Sequence, residues 1–197
     1  MLAMRVVLVL ALSLLALGCS CGDDPPPTRQ YAQTDPSDRH ADSEDYAGGI
    51  AWHVVPPLAP HAPSSPMRAA EYIVRDHPEA TLAVFHFGTG EGGSIDDNIN
   101  RWVDQFTQPD GRSSREVATI THRESGGMPV TFVDVSGSFS GMRGTEATVT
   151  AESQRMLGAI VDGPDGLVFF KLMGPADVIG ATADAFDETI ASIHRAS

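Results

Sequence analysis

Five side chains have the type and setting to hold a ligand: Arg68, Asn98, Arg101, Gln105 and Lys171. Asn98, Arg101 and Gln105 recur at spacings of three and four. On a helix turning about 100° per residue, that spacing sets an amide, a guanidinium and a second amide on one stripe. Such a stripe beside an apolar face is a wall of donors for an anion or a carbonyl. Arg101 also has a plainer use, bonding nearby loop or sheet carbonyls. Lys171 interrupts the apolar run Phe169-Phe170-Lys171-Leu172. Strand alternation sends Phe170 and Leu172 to one face, and Phe169 and Lys171 to the other. A strand lysine also serves simply to face solvent or blunt a sheet edge.

Other groups offer less. The seven histidines show no metal-ligand spacing, so neither a metal site nor a cofactor is expected. His86 and His122 fall on strands and could meet in space, with neighbouring acids, as the core of a hydrolase site. The serines of Gly137-Ser-Phe-Ser-Gly141 do not form the G-x-S-x-G elbow, and no catalytic residue is named. Gly88-Thr-Gly90-Glu-Gly-Gly93 fits the G-x-G-x-x-G pattern of dinucleotide sites. Glu91, Asp96 and Asp97 would oppose a pyrophosphate there, and the later strands do not form repeated strand–helix–strand units. A loop feeding a capped helix is the expected reading.

Two helices must position these groups. Ser94 is placed to cap a helix over 95–106, with Ile95, Ile99, Trp102, Val103 and Phe106 on its core face. Asp97, Asn100 and Asp104 face away from that core. Pro175 opens a second helix to about His194, with Val178, Ile179, Thr182, Phe186, Ile190 and Ile193 inward. Strands are expected at 50–55, 67–74, 81–87, 117–123 and 129–135, with a hairpin of 155–161 and 167–173 around Gly163-Pro-Asp-Gly166. Residues 56–66 read as a proline-rich loop and 136–151 as a glycine-rich excursion. The expected fold is α+β, an antiparallel-rich sheet with two amphipathic helices.

The globular region spans 50–197. Before it, residues 22–49 are acidic and rich in proline, with little to bury, and read as a disordered tether. A net charge of −13 disfavours nucleic acid as a partner. The first 18 residues carry one positive charge, Arg5, and an apolar run from Val6 to Leu17, the layout of a secretory signal too short for a permanent span. Ala16-Leu17-Gly18-Cys19 resembles the lipobox of bacterial lipoproteins. That resemblance implies acylation of Cys19, which becomes the mature N-terminus and anchors the chain to a membrane. Cys21, the second of two cysteines, then has no partner within the chain.

Met67-Arg68-x-Ala70, Gly93-Ser94, Asn98-Ile-Asn-Arg-Trp102-x-x-Gln105-Phe106, Met156-Leu-Gly-Ala-Ile160 and Phe169-Phe-Lys-Leu-Met-Gly-Pro175 resemble a group of uncharacterised bacterial envelope proteins and lipoproteins. The resemblance spans about 50–195 and transfers no catalytic residue. The order of elements is similar to the PsbP-like α/β/α sandwich, whose members mostly bind or assist other proteins. The expectation is a lipid-anchored, extracytoplasmic binding or accessory module, with enzyme activity left open and an envelope protein or a small ligand as its partner. The rivals are a hydrolase with an unrecognised site and a small-ligand binder walled by Arg68, Asn98, Arg101 and Lys171. Ser20 after the cysteine, in place of an aspartate, favours the outer membrane where the host has one.

Overall fold

A computed structural model describes residues 44–140 and 153–196. The signal, Cys19 and most of the tether lie outside the described residues, as does 141–151 of the glycine-rich excursion. Strands β1 (Asp45–Ala47) and β2 (Ile50–Trp52) are followed by β3 (Leu58–His61), β4 (Arg68–Val74) and β5 (His77–His86). Helix α1 (Ile95–Val103), β6 (Phe106–Thr107) and a short α2 (Ser114–Val117) come next, then β7 (Thr119–Ser125) and β8 (Met128–Phe139). The hairpin β9 (Gln154–Gly163) and β10 (Gly166–Pro175) leads into α3 (Ala176–Ala191) and β11 (His194–Arg195).

The main sheet has eight strands in the order β3-β4-β5-β10-β9-β8-β6, with β7 pairing β8 alongside β6. All its pairings are antiparallel. One face packs on α3 through Leu82, Val84, Phe170 and Leu172 against Ile179, Phe186 and Ile190. The other packs on α1 through Val133, Met156, Ile160 and Phe169 against Ile99, Trp102 and Val103. Alternation along β10 explains how one strand serves both cores: Phe170 and Leu172 face α3, while Phe169 faces α1. The fold is thus mixed α+β, a sheet between helices. Among the described residues no helix is long and apolar enough to cross a membrane.

Several elements differ from the sequence expectation. Helix α1 stops at Val103, and Phe106 enters β6, where its ring meets Phe139 edge-on at 5.5 Å. Strand β1 lies in the tract read as tether. It pairs with β2 in a small sheet completed by β11. The Tyr72 hydroxyl donates to Asp45 Oδ2 at 2.7 Å and accepts from Trp52 Nε1 at 2.9 Å, tying this sheet to β4. Strand β3 occupies part of the proline-rich loop, and β8 takes in residues 136–139 of the excursion.

Candidate functional site

Helix α1 begins with a capping box. Ser94 Oγ accepts from the Asp97 N–H at 3.1 Å, and Asp97 Oδ2 accepts from the Ser94 N–H at 3.4 Å. This satisfies donors that the first turn leaves free. The Ser94 bonds hold the Asp97 carboxyl below its ordinary range, with a smaller contribution from Arg101.

Trp102 seats the helix on the sheet. Its ring lies directly over Gly158 of β9, where a Cβ would fall 2.5 Å from Cζ3. Only glycine admits the indole this closely. Gly158 sits opposite Lys171 of β10, which sits opposite Ala83 of β5, which sits opposite Glu71 of β4. One row across the sheet therefore runs from beneath the helix out to β4. Helix α1 covers its inner end, and the outer end is flanked by β3 and the loop to β4.

The sequence-predicted residues gather along that row. Lys171 Nζ donates to Gln105 Oε1 at 2.8 Å and lies 6.0 Å from the Trp102 ring centroid. Burial, then the charges of Arg101 and Arg68, pushes the Lys171 pKa down to about 8. Both guanidiniums therefore bear on the amine. Arg101 donates to Asn98 Oδ1 at 2.6 Å. Arg68 pairs with Glu71 Oε1 at 2.8 Å and lies 6.0 Å from the Phe85 ring centroid.

Two of these residues behave differently from expectation. Asn98 is buried and is not an open flank. Its amide donates to Gly92 O at 2.9 Å and Ser94 O at 2.8 Å, fastening the glycine-rich loop to the helix, so that only its oxygen turns to Arg101. Arg101 bonds that amide in place of a loop or sheet carbonyl. Glu71 was missed in the sequence. It is buried, accepting from the Ser64 N–H at 2.6 Å as well as from Arg68. Burial pushes its carboxyl up, but these bonds outweigh that, and the net direction is down. Its sequence signal is an acid among apolar residues in Ala70-Glu-Tyr-Ile-Val74, the same signal that marks Lys171.

Among the described residues no carboxylate forms an ion pair with Lys171. Three cations thus share one partly open face with a single partnering carboxylate, Glu71, and two amide oxygens. That face has the charge to bind an anion.

Two grooves elsewhere have different electrostatics. A groove of about 210 Å³ beside α3 is lined by matched pairs. Arg155 grips Asp134 at 2.7 and 3.0 Å, and Arg123 lies 3.1 Å from Asp187 and stacks over Phe132 at 3.8 Å. A groove of about 580 Å³ between the glycine-rich loop and the β9–β10 turn is lined by Glu91 and Asp162. The loop is pinned there by Thr89 Oγ1 donating to Asp165 O at 2.9 Å. An acidic lining opposes a phosphate.

His86 and His122 do not meet. His86 on β5 pairs with Val168, on the α3 side, whereas His122 on β7 pairs with Thr131, on the α1 side, with three strands between them. His86 Nε2 is 3.1 Å from Asp165 O, and His122 Nδ1 is 3.1 Å from Thr131 Oγ1. Among the described residues no three His, Cys, Asp or Glu side chains gather as metal ligands would.

No family model matches the chain, and no match emerges among the curated proteins. Solved structures do show a likeness. A crystal structure from Bacteroides thetaiotaomicron aligns at 11% identity and a TM-score of 0.46 over 78% of this chain and 47% of that one. The solution structure of cyanobacterial PsbP (CyanoP) from Synechocystis aligns at 12% identity and a TM-score of 0.50, covering 78% of this chain and 91% of that one. At this identity the likeness speaks for the backbone alone: the chain has a PsbP-like fold.

Proposed function

We propose that the chain is a lipid-anchored, extracytoplasmic binding module that holds a small organic anion on the face formed by Arg68, Arg101 and Lys171. The observation that carries this reading is that two guanidiniums, Arg68 and Arg101, bear on an amine, Lys171, whose hydrogen-bond partner is a neutral amide. In a chain of net charge −13, that face is a local exception. Long-range repulsion disfavours polyanions, while a small anion in contact feels mainly the adjacent cations. The partly exposed Phe85 offers apolar surface beside the charge, as ligand sites commonly do. The lipobox at Cys19 and the acidic tether support the address, a domain held by acyl chains at a membrane and, after Ser20, at the outer one.

Titration calorimetry of the full chain with glycolate and with inorganic phosphate at pH 7 tests the binding. The expected result is saturable binding of at least one, weakened about tenfold by Arg101→Gln or Lys171→Gln, a loss of about 1.4 kcal/mol. No heat and no thermal shift with either anion overturns it. Mass spectrometry of the membrane-extracted protein tests the address, which stands on an acylated Cys19 and falls on an unmodified one.

A further inference from the structure

Lys171 is the only lysine in the sequence; the other 12 of its 13 basic residues are arginine. At every other position this chain supplies positive charge as guanidinium. An arginine at 171 would keep the charge, offer more donors and never lose its proton. The property that sets lysine apart is an amine that can become neutral and attack.

The surroundings serve that property. Lys171 lies in β10, between β5 and β9, with Ala83 and Gly158 as its cross-strand neighbours. Neither neighbour has a side chain large enough to cover the amine. Gln105 Oε1 accepts its hydrogen bond without adding negative charge. The carboxylate in the same row, Glu71, is occupied by Arg68 and the Ser64 N–H. Arg68 and Arg101 therefore have two effects on one point. They favour the neutral amine, and they draw the anionic end of a ligand beside it.

We infer that Lys171 is a covalent capture site, its ε-amine forming a reversible imine with a small carbonyl compound whose carboxylate or phosphate is held by Arg68 and Arg101. The inference rests on the anion-binding reading above. The amine lone pair attacks the carbonyl carbon, an N–C bond forms, and the π pair moves to oxygen. A proton passes from nitrogen to that oxygen, giving a carbinolamine. The oxygen takes a second proton from solvent and leaves as water while the nitrogen lone pair forms C=N, and the resulting iminium returns one proton to solvent to give the imine. One water is released and nothing is oxidised or reduced. Gln105 orients the amine by accepting its N–H. A pKa of about 8 leaves roughly a tenth of the amine neutral at pH 7, against well under a thousandth for an ordinary lysine.

The full chain is treated at pH 7.5 with glyoxylate, an anionic aldehyde, or with propionaldehyde, a neutral one, each with cyanoborohydride to reduce any imine to a stable amine. Peptide mass mapping then locates the adduct. The sole lysine leaves the N-terminal amine as an internal reference. Glyoxylate is expected to modify Lys171 at least tenfold faster than propionaldehyde does, after normalising to the N-terminus. Arg68→Gln and Arg101→Gln should each erase most of that preference while the N-terminal rate stays level. If glycolate binds the unmodified chain but Lys171 shows no preference for glyoxylate, the imine proposal is overturned and anion binding stands. If none of glycolate, phosphate and glyoxylate engages the face, both fall.

Discussion

The Lys171 ammonium and the Gln105 amide oxygen are 2.8 Å apart, joining the middle of β10 to the residue just beyond the end of α1. This bond makes the site a joint product of sheet and helix. It also fixes the character of the site, because an amide oxygen orients a cation without neutralising it. A carboxylate at 105 would give a closed ion pair of the kind that Arg155 forms with Asp134 beside α3.

Gln105→Glu should therefore quench the site. A carboxylate beside Lys171 favours its charged form, moving the pKa from about 8 back toward the ordinary value near 10.5. The single lysine gives one ε-methylene resonance, so titration by carbon NMR reads the midpoint directly. An upward move of a unit or more is expected, with anion affinity lowered at least tenfold. An unmoved midpoint would mean that residue 105 does not govern the amine.

Keeping a lysine here costs stability at neutral pH. The folded chain holds the Lys171 proton with a pKa of about 8, and the unfolded chain with one near 10.5. Between those values the unfolded chain carries more protons, so the free energy of unfolding rises with pH. The gain across pH 7–10.5 is on the order of 3 kcal/mol. Lys171→Met removes the term. It should be more stable than the parent at pH 7, and the gap should close by pH 10.5. Urea unfolding at both pH values measures this, and a gap that does not change with pH contradicts the assignment.

Gly158→Ala tests the seat of α1. The added methyl would start 2.5 Å from Trp102 Cζ3, so the indole and its helix must shift. Overpacking of this kind costs about 1–3 kcal/mol. Because α1 and the turn after it carry Asn98, Arg101 and Gln105, anion affinity should fall alongside stability. Chemical denaturation and calorimetry on one sample show both effects. A stable protein with unchanged affinity would separate the helix seat from the site.

How much of this site can be read in the sequence depends on range. The capping box at Ser94 and Asp97 and the hairpin turn at 163–166 each span four residues; both are written in local residue types. Alternation alone sends Lys171 to the face opposite Phe170 and Leu172. Arg68 is different. Strict alternation would set Arg68 and Glu71 on opposite faces, yet they form an ion pair at 2.8 Å. A register shift between Arg68 and Ala70 brings them to one face, and such a bulge has no local signature here. Strand β1 was hidden for a related reason. Its acidic sequence reads as tether, and what orders it is pairing with β2 and the bond from Tyr72, 27 residues away, to Asp45. Leu58–His61 buries only one residue fully, so β3 lacks the alternation that reveals a strand.

Asn98 should prove the least replaceable of the polar residues on α1. Its amide donates to two carbonyls, Gly92 O and Ser94 O, while its oxygen accepts from Arg101. Asn98→Asp keeps the acceptor for Arg101 but replaces the doubly donating nitrogen with one repelling oxygen beside two partly buried carbonyls. Leaving such groups unsatisfied costs about 1–3 kcal/mol, and more with a charge. Asn98→Ala loses the same bonds without adding a charge. The expected order of stability is therefore parent, then Asn98→Ala, then Asn98→Asp, in thermal and urea unfolding at pH 7. Protonating the new carboxyl restores one donor, so the gap between the two variants should narrow toward pH 4. If Asn98→Asp instead matched the parent at pH 7, the loop carbonyls would not depend on Asn98, and its role would reduce to positioning Arg101.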